Sequence, residues 1–216
     1  HISNQKFGTF NWVDPKASSC SEMIYELYKK MGVKITKDAA LAMYTGILTD
    51  TGSFRYSNTT ATTHRVAAEL LKYGIDVVDT YKKAYGNIPY RDMKLAVSFL
   101  NKAQRRANGK IMWFEVEAVA LKKYKTLYVD LTDYLLNYAR AIKETEVAVL
   151  FRENLGVKNQ VRVNFRSQGK VDVNKIAKIF SGGGHKSAAG CTINATLADA
   201  RKQVIKKLEQ ALESLE

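Results

Sequence analysis

Apolar residues recur at two different periods along this chain, and the change of period divides it. From Ser18 to Gly32, SSCSEMIYELYKKMG opens with Ser19 and Glu22 at capping-box spacing. It continues with Met23, Ile24, Leu27, Tyr28 and Met31, which predicts a helix that Gly32 is placed to end. Thr36 can cap a second helix whose buried face holds Ala40, Met43, Tyr44 and Ile47 and which runs toward Thr49 and Asp50. A third helix is expected from Thr63 to Tyr73, before Gly74, so that Trp12 to about Gly86 forms a largely helical layer.

The turn formers Gly86 and Pro89 of YGNIPY then interrupt the pattern. A helical run from Arg91 to Arg106 follows, broken at Asn108 and Gly109. Beyond it strands alternate with helices. Strands are expected over 110–116, 147–151 and 161–165, with a short last one at 191–193, and helices over 132–142 and 173–180. An amphipathic helix, 197–215, closes the chain with Arg201, Lys202, Lys206 and Lys207 on a solvated face. The organisation expected is therefore 1–86 as one domain, 87–109 as a linker helix and 110–216 as an α/β domain.

Composition narrows the picture. The 216 residues are 46% hydrophobic and 25% charged, and no apolar run approaches the roughly 20 residues of a membrane span. Two cysteines, without CxxC spacing, exclude a disulfide framework and offer no zinc motif, and a reducing cytoplasm is the expected compartment. A net charge of +13 favours anionic partners. The chain starts with His1 in place of methionine, which predicts a fragment or a processed product.

Candidate chemistry gathers in two stretches. SGGGHKSAAG, Ser181 to Gly190, holds four of the 13 glycines. Gly182, Gly183 and Gly184 expose backbone amides as an anion nest, and His185 and Lys186 add donors; the alternative is a tight turn between helix and strand. The spacing is neither a Walker A loop nor a dinucleotide fingerprint. Just upstream, VNFRSQGK sets Arg166 and Ser167 at a strand end, where an arginine offers a phosphate-matching fork or a surface ion pair. The second stretch, TGILTDTGSFRYSNTTATTH, places Asp50 where a helix gives way to a glycine turn, with Arg55 and His64 nearby. A cap or turn residue is the plain reading of Asp50, and a metal or phosphate role the sharper one.

Together these residues resemble a known family. TGILTDTGSF is similar to the fourth motif of the DHH phosphoesterases, and GGGHKSAAG resembles the signature of the DHHA1 domain that follows it. FRS and DVNKIAKIFSGGGH have the order and spacing of the branch containing the bacterial oligoribonuclease/pAp phosphatases, the nanoRNases. The resemblance covers nearly the whole chain. It implies an α/β fold: the C-terminal, mostly helical part of a DHH domain followed by a smaller α/β DHHA1 domain with a mixed sheet. It also sets HISNQKFGTFNWVDPKASS directly after the Asp-His-His motif, with His1 as the second histidine of that motif, contacting phosphate.

In that family two divalent metals, commonly manganese, are held by residues of earlier motifs, by the first histidine of Asp-His-His and by the fourth-motif aspartate. Asp50 is the one of these ligands present, so the resemblance implies that the chain by itself lacks most of the metal site and is inactive. The implied reaction of the intact enzyme is metal-assisted hydrolysis of short oligoribonucleotides or of 3′-phosphoadenosine 5′-phosphate, with two metals lowering the pKa of a bridging water. Arg166, Ser167, Gly182, Gly183, Gly184 and His185 would grip the substrate's terminal phosphate or nucleotide end. Arg55 and His64 are weaker candidates, and His64 equally suits a plain helix N-terminal position. The partners implied are short RNA or DNA oligonucleotides or nucleotide phosphates, no membrane, and a second copy in a homodimer. The same fold would also suit a cyclic dinucleotide or pApA phosphodiesterase, an exopolyphosphatase or a RecJ-like exonuclease. A non-catalytic module gripping nucleic-acid ends is the alternative from another class.

Overall fold

The structure, a computed structural model, describes residues 8–123 and 131–215, without the side chains of 121, 123 and 131. The chain forms two compact units, His1–Asn87 and Ile88–Glu216.

The described part of the first unit is helical: α1 (Cys20–Met31), α2 (Lys37–Asp50), α3 (Ala61–Leu71) and α4 (Val77–Tyr85). The Ser19 hydroxyl caps α1 by accepting from the Glu22 amide, and Gly32 ends the helix at φ 64°, where a Cβ would be strained. Thr36 caps α2, and Thr60 and Thr63 cap α3 reciprocally. The four apolar positions expected on α2 are all buried, with Tyr25, Val66 and Leu70 among the residues packed around them. The stripe expected on α1 is not. Ile24, Leu27 and Met31 are 45%, 42% and 67% exposed, and α1 buries Glu22 and Tyr25 in their stead. Glu22 can be buried because the Ser18 and Thr63 hydroxyls donate to its carboxylate. Gly46 lets α1 come close to α2, since a Cβ there would overlap Ser21.

The second unit is a three-layer α/β structure. In chain order it comprises α5 (Tyr90–Leu100), β1 (Gln104–Arg106), β2 (Ile111–Val116), α6 (Ala118–Lys123), α7 (Leu131–Arg140), β3 (Val147–Glu153) and β4 (Val161–Ser167). It ends with α8 (Val173–Ile179), β5 (Gly183–His185), β6 (Ala188–Ile193) and α9 (Leu197–Glu213). The mixed sheet has the order β1-β2-β3-β4-β6-β5, with β2 and β3 parallel and the other pairs antiparallel. On one face Val147, Val149, Val163 and Phe165 pack against α8 and α9. On the other, Met112, Phe114, Ala148 and Leu150 pack against α5 and α7.

Three expectations change here. The run 91–106 is not one helix: α5 stops at Leu100, and 104–106 fold back on β2 as an antiparallel strand. The reversal runs through Ala107, Asn108 and Gly109, all at positive φ. Both α5 and β1 are thereby built into the second unit, α5 through Leu95, Ala96 and Phe99 in its core. The short strand at 191–193 is the end of the longer β6. Arg201 is not simply a solvated cation, since its Nη1 donates to Glu115 Oε1 at 2.9 Å and ties α9 to β2. No helix among the described residues is long and apolar enough to cross a membrane.

Candidate functional site

Strand alternation decides what the second unit presents. Val161, Val163, Phe165 and Ser167 of β4 are buried toward α8 and α9, so Arg162, Asn164 and Arg166 point to the opposite face. Directly paired strand residues share a face, and the register therefore sets Arg166 of β4, Ala188 of β6 and His185 of β5 in one row. The next row carries Asn164, Gly190 and Gly183. The row beyond it carries Arg152 of β3, Arg162 and Thr192. This end of the sheet is a floor of very small residues with basic side chains around it. Arg162 Nη2 and Asn164 Nδ2 lean over Gly190, 3.1 and 3.4 Å from where its Cβ would be, so the missing side chain is what admits them.

The glycine run is a strand, not a free nest of amides. β5 is the sheet edge, paired to β6 over Gly183–His185. Two of its glycines are sterically required. A Cβ on Gly182 would overlap the Gly190 carbonyl and lie 2.8 Å from Cys191 Cα. A Cβ on Gly184, whose φ is 149°, would overlap the Ala188 carbonyl and lie 2.5 Å from Ala189 Cα. Gly183 differs: a Cβ there would meet nothing nearer than Asn174 Oδ1 at 4.0 Å. Its missing side chain leaves space at the sheet edge, by the start of α8.

Arg166 and Ser167 are not brought together. Arg166 Nη2 donates to Asp133 Oδ1 of α7 at 2.7 Å and Nη1 to the Phe165 carbonyl at 3.0 Å. Its guanidinium is thus held over the sheet face beside an exposed carboxylate. Ser167 lies on the other face, 1% exposed. Its hydroxyl donates toward the Val171 carbonyl at 2.7 Å and Glu146 Oε1 at 3.1 Å, and accepts from the Gly169 amide. Glu146 Oε1 also accepts from the Lys170 and Val171 amides, so Ser167 belongs to a buried clasp on the 167–171 turn. As a substrate contact through its side chain, Ser167 is corrected by this geometry.

In the first unit Asp50 is the exposed last residue of α2. The turn after it is conformationally unusual, with Gly52, Ser53 and Phe54 at φ 55°, 61° and 63°. Buried Thr51 anchors it by donating to the Ile47 carbonyl at 2.6 Å and accepting from the Phe54 amide at 3.0 Å. Asn58 Nδ2 bridges the carbonyls of Asp50 and Ser18, at 3.1 and 2.7 Å. Arg55 folds back on the same turn, Nε donating to the Gly52 carbonyl at 2.7 Å. The His64 ring stacks on Phe54 with centroids 5.1 Å apart. His1 lies outside the described residues. Among the described residues no three His, Cys, Asp or Glu side chains gather into a metal-binding group. Asp50 alone does not make a metal centre.

Arg152, Arg162 and Asn164 share the face of Arg166 without having been expected there. The signal for two of them was present, since VRVNFRS alternates apolar and polar positions and puts Arg162 and Asn164 on the side of Arg166. Cys191 faces the core, where burial pushes its thiol up to about 11 and makes it a packing residue rather than a nucleophile.

Comparison with known proteins agrees with this architecture. The DHHA1 domain family matches residues 130–214. The bifunctional oligoribonuclease and PAP phosphatase NrnA of Bacillus subtilis is 34% identical over 196 residues, 89% of this chain and 60% of that protein. The Thermus thermophilus protein of the same name is 30% identical over 213 residues, 98% of this chain and 63% of its own length. A crystal structure of an exopolyphosphatase-related protein from Bacteroides fragilis superposes with a TM-score of 0.84 at 27% identity, over 99% of this chain and 62% of that one. The chain thus spans about three fifths of the length of these relatives. The second unit thus carries a match to the DHHA1 domain family, and over nearly its whole length the chain is similar to NrnA proteins.

Proposed function

We propose that the second unit grips the phosphate-bearing end of a short oligoribonucleotide or of 3′-phosphoadenosine 5′-phosphate, and that the chain works as part of a metal-dependent phosphoester hydrolase. The row Arg166–Ala188–His185 beside the open Gly183 floor carries this reading, because it combines a forked cation and an imidazole with room for a phosphate between them. The names of the NrnA relatives support the substrate class. Asp50, at the end of α2 on a turn anchored by Thr51 and Asn58, would supply one carboxylate to a divalent metal pair, manganese in this reading. The other ligands would lie outside the described residues, so the 216-residue chain alone is proposed to bind substrate and not to turn it over. Two unpaired cysteines suit a reducing cytoplasm. A homodimer is the assembly proposed.

What the chain's own residues do is positional. Arg166 exchanges Asp133 for a phosphate oxygen, His185 adds a second donor from the edge strand, and the glycine floor lets the phosphate settle against the sheet. Calorimetric titration with 3′-phosphoadenosine 5′-phosphate, AMP and adenosine tests this. Arg166→Ala and His185→Ala should each lower affinity for the phosphorylated ligands about tenfold to a hundredfold, from the roughly 1.5–3 kcal/mol of a charge-assisted contact, and leave adenosine unaffected. Wild-type affinities in both variants would sink the reading. A linear polyphosphate in the same titration covers the second reading, which the Bacteroides fragilis structure favours.

A further inference from the structure

Glu146 is a buried acid with no part in the grip proposed above, and it is 9% exposed. Its Oε1 accepts from the Lys170 amide at 2.7 Å and from the Val171 amide and the Ser167 hydroxyl, both at 3.1 Å. These donors are neutral, and a carboxylate binds backbone amides more strongly than a neutral acceptor does. The Glu146 backbone is fixed as well: its amide donates to the Lys110 carbonyl and its carbonyl accepts from the Gln168 amide, both at 2.9 Å. Gln168 Nε2 donates to the Arg140 carbonyl at the end of α7, at 2.8 Å. Segment 167–173 is thereby anchored through its middle. Its two ends hold something else. The Ser167 amide donates to the Ser187 carbonyl at 2.9 Å, and the Val173 amide to the Lys186 carbonyl at 3.0 Å. Lys186 and Ser187 are the two loop residues of the hairpin that joins β5 to β6.

We propose that Glu146 is a positioning residue for His185: by clamping 167–173 it holds the Lys186 and Ser187 carbonyls, and so keeps the imidazole in the row of Arg166. This role rests on the reading of that row as a phosphate grip. Strand β5 needs such a hold. It is three residues long, exposed throughout and paired on one side only. Two of its residues are glycines, one of them at φ 149°, so its backbone resists displacement little. His185 is its last residue. Arg166, by contrast, stands on β4, which is paired on both sides. The Ser167 hydroxyl is dispensable to the hold, because the bond to Ser187 comes from the Ser167 amide and Glu146 keeps two amides without the hydroxyl. A clasp that merely stabilised the unit would weaken both halves of the grip alike, whereas a positioning role acts through His185.

The test is a double-mutant cycle on the 216-residue chain, read by calorimetry with 3′-phosphoadenosine 5′-phosphate on variants that circular dichroism shows to be folded. Glu146→Ala should lower the affinity about tenfold, within the loss that His185→Ala causes. Combined with His185→Ala it should add nothing further, while combined with Arg166→Ala the two losses should multiply to within about a factor of two. Glu146→Gln retains an acceptor for the same amides and should bind nearly as wild type. Val173→Pro reaches the hold from its other end and carries the test where Glu146→Ala does not fold. Proline suits the first position of a helix and lacks the amide that bonds Lys186, so the loss should recur with Glu146 in place. The chain has three histidines, and the ring signals of His185 in NMR spectra are assigned by their absence from His185→Ala. They should shift in Glu146→Ala and in Val173→Pro, with those of His64 unmoved. A loss from Glu146→Ala that multiplies with that of His185→Ala, or His185 signals unshifted in both variants, would overturn the positioning role. Wild-type affinity in His185→Ala would instead overturn the grip, and the positioning role with it.

Discussion

Replacing Gly184 by alanine should unfold the second unit far more readily than replacing Gly183, although the two are neighbours in one glycine run. At Gly184 a Cβ would press on the Ala188 carbonyl and on Ala189 Cα at 2.5 Å, and φ is 149°. Holding an L residue there costs about 1–3 kcal/mol, and shifting β5 off β6 to relieve the overlap about 1–3 kcal/mol more. Against an m-value of about 1–3 kcal/mol/M, a total of about 2–6 kcal/mol lowers the urea midpoint by roughly 1 M or more. At Gly183 the added methyl meets only Asn174 Oδ1 at 4.0 Å, so Gly183→Ala should stay within about 0.5 kcal/mol of wild type. It would stand on the edge strand that carries His185, and should weaken binding of 3′-phosphoadenosine 5′-phosphate while leaving the midpoint in place. Urea unfolding followed by circular dichroism, with titration of the folded variants, reads both quantities. A Gly184→Ala midpoint equal to wild type, or a Gly183→Ala midpoint as low as that expected for Gly184→Ala, would refute the division of the run into packing glycines and a floor glycine.

Further outcomes follow from buried polar groups. Glu22→Ala should destabilise the first unit by about 2–4 kcal/mol in urea unfolding, because the buried Ser18 and Thr63 hydroxyls lose their acceptor. Ser167→Ala should cost about 1–3 kcal/mol of stability, through the Gly169 amide and Glu146, and leave the affinity for 3′-phosphoadenosine 5′-phosphate unchanged in calorimetry. The Cys191 thiol is raised from 9.0 to about 11 by burial, so the folded state keeps a proton that the unfolded chain loses first. Stability is then full below pH 9 and falls between pH 9 and 11 by about 2–3 kcal/mol, a decline that Cys191→Ala should reduce in unfolding titrations across that range.

The difference between Arg166 and Ser167 shows what could be read from the chain before its fold and what could not. Adjacent residues of a strand face opposite ways, so a motif such as FRS cannot deliver both side chains to one ligand while it remains extended. Alternation in VRVNFRS therefore already implied Arg162 and Asn164 as companions of Arg166, and Ser167 as a residue of the other face. Bringing His185 into the same row needed β6 between them, and pairing register is not a local property of either segment. Four of the five buried positions of α2, all but Leu48, were legible because the helix is covered along that whole face. On α1 a comparable stripe stays exposed, since periodicity marks a face and not the partner that covers it. The glycine run suggested a loop because flexibility is what glycine contributes to an isolated chain. In the fold its role is steric: Gly182 and Gly184 let an edge strand lie against β6, and Gly190 admits Arg162 and Asn164 over it. The same absence of side chains that closes the edge strand onto the sheet thus also sets where the polar groups of β4 can lie.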